Sequence, residues 1–266
     1  MTGFARTTNF MLGTAEVMIG PRDKLYEFTP DQNAIGLVKN FVCEVTRDQV
    51  ELGQGVQNTL VHIRSTGSTA RASCEMYEYT SKNLAYALSL DGSSFVDVPG
   101  TPRTTTALST LNSTLHTLTT DTPATPQTFA IGNTVMLREP NSNNINIGVL
   151  TAITPNLIVR CDTGTRQFPI GTVVSRCDVL AMGSTAEATE YAAKVTGQLA
   201  DGTWVSLLFP RIRITSGMTM AFQTDNYGNM PLEWRPMQLV STDKYFNDFQ
   251  NRVANFAKDT VKSAVI

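Results

Sequence analysis

Arg71-Ala72-Ser73-Cys74-Glu75-Met76-Tyr77-Glu78-Tyr79 is the stretch that decides the fold. Ala72, Cys74 and Met76 alternate with Arg71, Ser73 and Glu75, one set apolar and the other polar. Side chains of a strand point to opposite faces in turn, so this pattern marks an antiparallel strand with one face in a core and one in water. Thr80 or Ser81 then supplies a short hydroxyl able to cap a helix, and Leu84, Ala87, Leu88 and Asp91 follow at helical spacing before Asp91-Gly92 ends it. A short amphipathic helix after strands has to lie against the sheet they form.

Working outward, the same alternation predicts a strand from Gly36 to Thr46, with Leu37, Phe41, Cys43 and Val45 on one face, and another over Leu60 to Arg64. Met11 to Gly20 holds a first strand. Downstream, Glu190 to Leu199 and Thr203 to Phe209 flank Asp201-Gly202, a pair that readily adopts the positive φ of a tight hairpin. Arg211 to Ile214, Met218 to Phe222 and the Leu232–Trp234 region continue the strands. Tyr245, Phe249, Val253 and Phe256 fall at the spacing of an amphipathic C-terminal helix.

Between these halves the composition changes. Twelve of the 28 residues from Thr101 to Thr128 are threonine, bounded by Pro99, Pro102, Pro123 and Pro126, which reads as a linker or exposed loop. Phe129 to Leu137, Ile147 to Ile153, Leu157 to Cys161 and Gly171 to Ser175 then look like short strands of a small unit. The expected organisation is residues 1–92 and 181–266 as two halves of one antiparallel β-sandwich or barrel, and 93–180 as an inserted β-rich domain.

The totals exclude several classes. Lysine and arginine number 21 against 23 acids, with no basic run of the kind a nucleic-acid grip needs. Charged residues are only 17%, which suits a surface that buries itself against copies. The four cysteines form no Cys-x-x-Cys pair and there are two histidines, so no zinc site, cofactor or disulfide framework is expected. No signal peptide or membrane-length apolar run is evident, and the protein reads as soluble. His62, on a polar strand face, and His116, in the threonine-rich segment, lack partners for catalysis and read as surface residues. Asp225-Asn226-Tyr227-Gly228 lacks the alternating acids of a calcium loop. Neither catalysis nor a small-molecule ligand is expected.

Two sets of segments carry a resemblance. Gly36 to Phe41, Leu52 to Asn58, Ser65-Thr66-Gly67, Glu75 to Thr80 and Asn83 to Leu88, followed by Phe209 to Gly217 and Phe222 to Glu233, are in their order similar to the major tail (tail tube) proteins of long-tailed bacteriophages. The similarity covers about two thirds of the chain and leaves residues 93–180 unmatched. It implies a β-sandwich or barrel flanked by a helix, homohexameric rings stacked into a tube, and passage of double-stranded DNA through the lumen. It also implies contacts with tape-measure, baseplate or tip and terminator proteins. The expected location is the virion tail, assembled in the host bacterial cytoplasm.

On that basis Asp48, Glu51, Leu52, Gly53, Gln54, Gly55, Val56, Gln57 and Asn58 form a candidate inter-ring stacking loop. Tyr245, Phe249, Val253 and Phe256 form a candidate inter-subunit helix, the alternative being that the helix packs on its own domain. Glu44, Asp48 and Glu51 are candidate lumen acids, and the insertion is expected on the tube exterior. The alternatives are a baseplate or tail-terminator ring of the same fold and a glycan-binding adhesin module.

Overall fold

The computed structural model describes residues 15–54, 59–92, 95, 99–180, 182–183, 188–199, 202–217, 228–250 and 252–259. The chain divides into two compact units, one made of residues 1–95 and 182–266 and the other of 96–181. Among the described residues the first strands are β1 (Glu16–Pro21), β2 (Val38–Gln54) and β3 (Thr59–Met76). The 96–181 unit holds β4 (Arg103–Thr104), β5 (Thr110–Asn112), β6 (Leu115–Leu118), β7 (Thr134–Arg138), β8 (Ile145–Ala152), β9 (Leu157–Arg160) and β10 (Val173–Arg176). The chain returns with β11 (Glu190–Gln198), β12 (Trp204–Ile214), β13 (Met230–Pro236) and β14 (Asn255–Lys258). Helices are short: α1 (Pro30–Asn33), α2 (Ser81–Ala87) and α3 (Phe246–Phe249), with a 3-10 segment at Arg22–Glu27. The protein is mainly β, with antiparallel sheets and flanking helices.

In the first unit the strands run β1-β11-β12-β13-β3-β2, with β14 also paired to β12. The sheet curls until its edges meet: Ala34 bridges Met18, and the Ile35 amide donates to the Val17 carbonyl at 3.0 Å, just before the chain enters β2. One side of the strands forms a common core of Val17, Ile19, Cys74, Met76, Phe209 and Trp234. Helix α2 plugs it with Tyr86, whose hydroxyl donates to the Ile19 carbonyl at 3.1 Å. Thr80 caps that helix through its hydroxyl, which accepts from the Asn83 amide at 3.2 Å. Strands β1, β11 and β12 are buried on both faces, because Met18, Ala192 and Leu208 turn outward against Leu25, Phe28, Tyr245 and Phe249.

Several expectations change. The strand face proposed for Leu37, Phe41, Cys43 and Val45 is broken by a bulge at Asn40, whose φ is +52°. Val38 is therefore buried and Leu37 lies half exposed, while Phe41 and Cys43 still reach the core. The two stretches Leu60–Arg64 and Arg71–Met76 are one strand, continuous through Gly67. Thr203 to Ile214 is likewise essentially one strand, kinked by a bulge at buried Pro210, which has no amide to give the ladder. Met218 to Phe222, Asp225 to Tyr227 and Met11 to Thr14 lie outside the described residues.

The C-terminal helix is a single turn. It ends at Phe249 because Gln250 takes a φ of +49°, and the chain then extends into β14, which pairs antiparallel with Val205–Leu208 of β12.

In the inserted unit the order is β4-β10-β7-β8-β9-β6-β5. It too closes, since Thr105 after β4 bridges Thr120 after β6. Val135, Leu137, Leu150, Leu157, Val159, Phe168 and Val174 fill it. The threonine-rich segment is therefore not a linker: it supplies β4, β5 and β6, and β-branched residues suit strands. The Thr105 hydroxyl donates to the Pro169 carbonyl at 2.8 Å and accepts from the Thr172 amide at 2.9 Å, adding to the backbone bonds that Thr105 makes with Gly171 and Thr172. His116 lies in β6 and is fully buried, not at the surface.

Candidate assembly interface

Strands β2 and β3 form a hairpin far longer than the sheet that carries it. Strand β13 pairs with β3 only over Ala72–Met76, whereas β2 and β3 stay paired from Val38↔Met76 out to Gln54↔Thr59. The 44–54 stretch and its partner therefore project as a two-stranded ribbon, about 35 Å long at the rise of a strand. Among the described residues, side chains on both its faces are exposed. Val45 (64% exposed), Val50 (59%), Leu52 (61%) and Ile63 (45%) are apolar side chains standing in water.

Register fixes which face each occupies. Cys43↔Ala72 and Val45↔Ala70 carry the core face outward, and an extra residue, Thr66, shifts β3 so that Gln49↔Ser65 and Glu51↔Ile63 continue it. The opposite face carries Glu44↔Arg71, Thr46↔Thr69, Asp48↔Gly67, Val50↔Arg64 and Leu52↔His62. Glu44 and Asp48 thus share one face and Glu51 lies on the other. From Glu44 to Arg71 the acids are Glu44, Asp48 and Glu51 and the bases Arg47, Arg64 and Arg71, three against three. Arg71 anchors the root through an ion pair of 2.7 Å with Glu233 of β13. Asn40, Asn229 and Tyr77 hydrogen-bond Glu75 beside the root and hold its carboxyl below the usual range.

Asp48, Glu51, Leu52, Gly53 and Gln54 are thus strand residues near the ribbon's end, and Gly55, Val56, Gln57 and Asn58 lie outside the described residues. His62 sits exposed on the same ribbon. The sequence reading missed Val45, Val50 and Ile63. The available signal was a run from Val38 to Leu52 without glycine or proline, too long for one edge of a compact sheet.

The other predicted set does not come together. Tyr245 and Phe249 are buried in their own unit, with the Tyr245 hydroxyl donating to the Asp23 carbonyl at 2.8 Å. Val253 is half-buried, and Phe256 stands 59% exposed on β14.

A charged cluster fastens the outer side of this unit. Glu190 of β11 accepts from Arg211 through both oxygens at 2.8 Å and from Arg22 at 2.7 Å, with Arg213 at 3.4 Å. Arg22 also reaches Asp243 at 3.2 Å. The Arg211 hydrogen bonds, followed by the charges of the three arginines, hold the Glu190 carboxyl below its ordinary value. An anion so fully donated to has no proton to give near neutral pH; its work is to tie three segments together.

In the inserted unit, the Thr163 hydroxyl donates to the Arg166 carbonyl at 2.7 Å, so toward His116 it can only accept. His116 therefore carries its proton on Nε2, 2.9 Å from Thr163 Oγ1. Its Nδ1 has no well-aligned partner. Burial pushes the imidazole below its usual pKa, with the nearby Cys161 backbone acting the other way.

The four cysteines are unpaired thiols. Among the described residues there is no cluster of three or more histidine, cysteine or acidic side chains able to hold a metal ion, and no helix long and apolar enough to cross a membrane. Neither protein-family models nor curated proteins give a match to this chain.

Proposed function

We propose that this chain is a non-catalytic structural subunit that assembles with copies of itself into rings of a bacteriophage tail tube. The observation that carries the reading is the β2–β3 ribbon. A two-stranded hairpin is marginal in water without a third strand or a packed face, and this one presents bare apolar side chains on both faces. Such a ribbon makes sense as part of a larger structure, and unpaired strand edges are satisfied when identical neighbours close a ring.

Its charge chooses the class of partner. A ribbon with three acids and three bases lacks the cationic excess that grips phosphates, while a balanced mixture of both signs is suited to pairing with itself. The order of segments that resembles the major tail proteins supplies the rest: the family's six subunits per ring, stacked rings, DNA crossing a lumen, and tape-measure, tip and terminator proteins at the ends. The inserted unit, with its own closed core, serves as an addition to the ring-forming unit rather than part of its joints. For the inserted unit the glycan-binding alternative fares worse, since residues 96–181 contain no tyrosine or tryptophan and their two phenylalanines, Phe129 and Phe168, are buried.

Negative-stain microscopy of the purified full chain over rising concentration tests the reading. Hollow rods or six-membered rings are expected. A protein that stays monomeric at high concentration and under crowding refutes it.

A further inference from the structure

The inserted barrel presents an outward face whose chemistry is independent of any ring contact. Along β8, Gly148 and Leu150 face inward, and a Cβ on Gly148 would meet Val159 at 2.4 Å and the Arg160 carbonyl at 2.9 Å, so β8 and β9 are in close contact there. The alternate residues Ile145, Ile147 and Val149 face outward, and Ile145 and Ile147 are 53% and 56% exposed. Register places Arg138 of β7 opposite Ile145, and Arg160 of β9 opposite Val149. Leu115 of β6, paired with Arg160, extends the apolar stripe.

No acidic residue occupies an outward position of β6, β7, β8, β9 or β10. An isoleucine stripe is therefore flanked by two exposed cations; of the acids next to them in sequence, Glu139 is buried and paired with Arg166, and Asp162 lies beyond the end of β9. From strand geometry the two arginines lie four residues apart along β8 and two strands apart across it, about 17 Å. Flexible arginine side chains span that distance to carboxylates four or six residues apart on one face of an extended chain.

We propose that this face docks an extended peptide segment of a partner protein, with alternating apolar side chains between two carboxylates. Charge complementarity selects it. A sugar ring finds no exposed aromatic here to stack on. A nucleic acid needs a longer row of cations than two. A bilayer gains only about 1 kcal/mol per basic residue at its surface.

The test uses the full chain and a fluorescein-labelled heptapeptide of alternating threonine and valine with glutamate at both ends, followed by fluorescence anisotropy. Saturable binding is expected, with little binding of the same peptide ended in lysine. R138E with R160E should weaken the glutamate peptide by about tenfold or more and reverse the preference toward the lysine peptide. Both side chains are exposed, so an unchanged melting temperature confirms that the variant is folded. Ile147→Thr should weaken both peptides without changing that preference. The proposal is overturned if the glutamate peptide fails to bind at millimolar concentration, or if the double reversal leaves its affinity unchanged. It is also overturned if anionic phosphatidylserine vesicles compete for the face more strongly than the peptide. None of these results depends on whether the chain forms rings.

Discussion

Replacing Val50 and Leu52 together by serine should cripple assembly and leave the isolated subunit intact. Full burial of a valine or leucine side chain is worth about 1.5–3 kcal/mol. These two are 59% and 61% exposed in the single chain, so about 1–2 kcal/mol each remains to be gained against a neighbour. The double variant forfeits about 2–4 kcal/mol per joint, which raises the concentration needed for assembly by roughly 30- to 700-fold. Within the subunit the two side chains lie opposite Arg64 and His62 across the strand pair, and exposed substitutions usually cost less than about 0.5 kcal/mol. Sedimentation velocity across a concentration series gives the assembly threshold, and a thermal melt of the unassembled fraction gives subunit stability. An unchanged threshold refutes the reasoning. So does a fall in melting temperature of many degrees, because it would mean these side chains already serve the subunit's own core.

Three further outcomes follow from named contacts. Glu190→Gln should lower stability by about 2 kcal/mol, the scale of hydrogen bonds to a charged group tempered by partial solvent access. The wild-type carboxyl titrates lower when folded than when unfolded, so its contribution is complete above the unfolded value near 4.5 and is lost as pH falls through the folded one; urea melts from pH 7 to pH 3 should flatten in the variant. His116 is depressed, so the inserted barrel should hold constant stability above about pH 6.5 and weaken as pH drops below it, where the unfolded chain takes up a proton that the buried ring resists. Hydrogen exchange of β6 and β9 reads this, and His116→Gln should remove the slope. Replacing residues 96–181 by a short glycine-serine linker should leave an assembly-competent protein by electron microscopy, because each unit has its own core; loss of assembly would assign the insertion to a ring joint.

How far the fold could be read depended on whether local pattern and tertiary demand agreed. At Ala72, Cys74 and Met76 they did: alternation, burial and pairing coincide, and Thr80 caps the next helix as its hydroxyl predicts. At the C-terminus they did not. Tyr245 and Phe249 keep helical spacing with Val253, yet Val205–Leu208 of β12 has an unpaired side that Asn255–Lys258 fills, and ladder pairing overrides a weak helical preference. The threonine-rich segment was misread because its composition resembles loops, while its β-branched side chains and hydroxyls serve short strands joined by side-chain hydrogen bonds. His116 gave no sign of burial, since nothing near it in sequence announces Phe168, whose ring lies 4.7 Å away.

The candidate interface was legible only in outline. Sequence placed Asp48 to Asn58 between two strands but could not tell a loop from a ribbon, because both tolerate alternating polar and apolar residues. Pairing decides it: a strand partner at every step from Val42 to Gln54, two bulges on β3, and, among the described residues, no strand paired to β3 beyond Ala72 on the other side. Each bulge adds one residue to β3 alone, at Thr66 and Val61, and an extra residue of this kind bends its strand and increases the local twist. A twisted ribbon resists the indiscriminate edge pairing that a long flat edge invites. It can nevertheless fit a partner shaped to the same twist, and a copy of the chain meets that condition most simply.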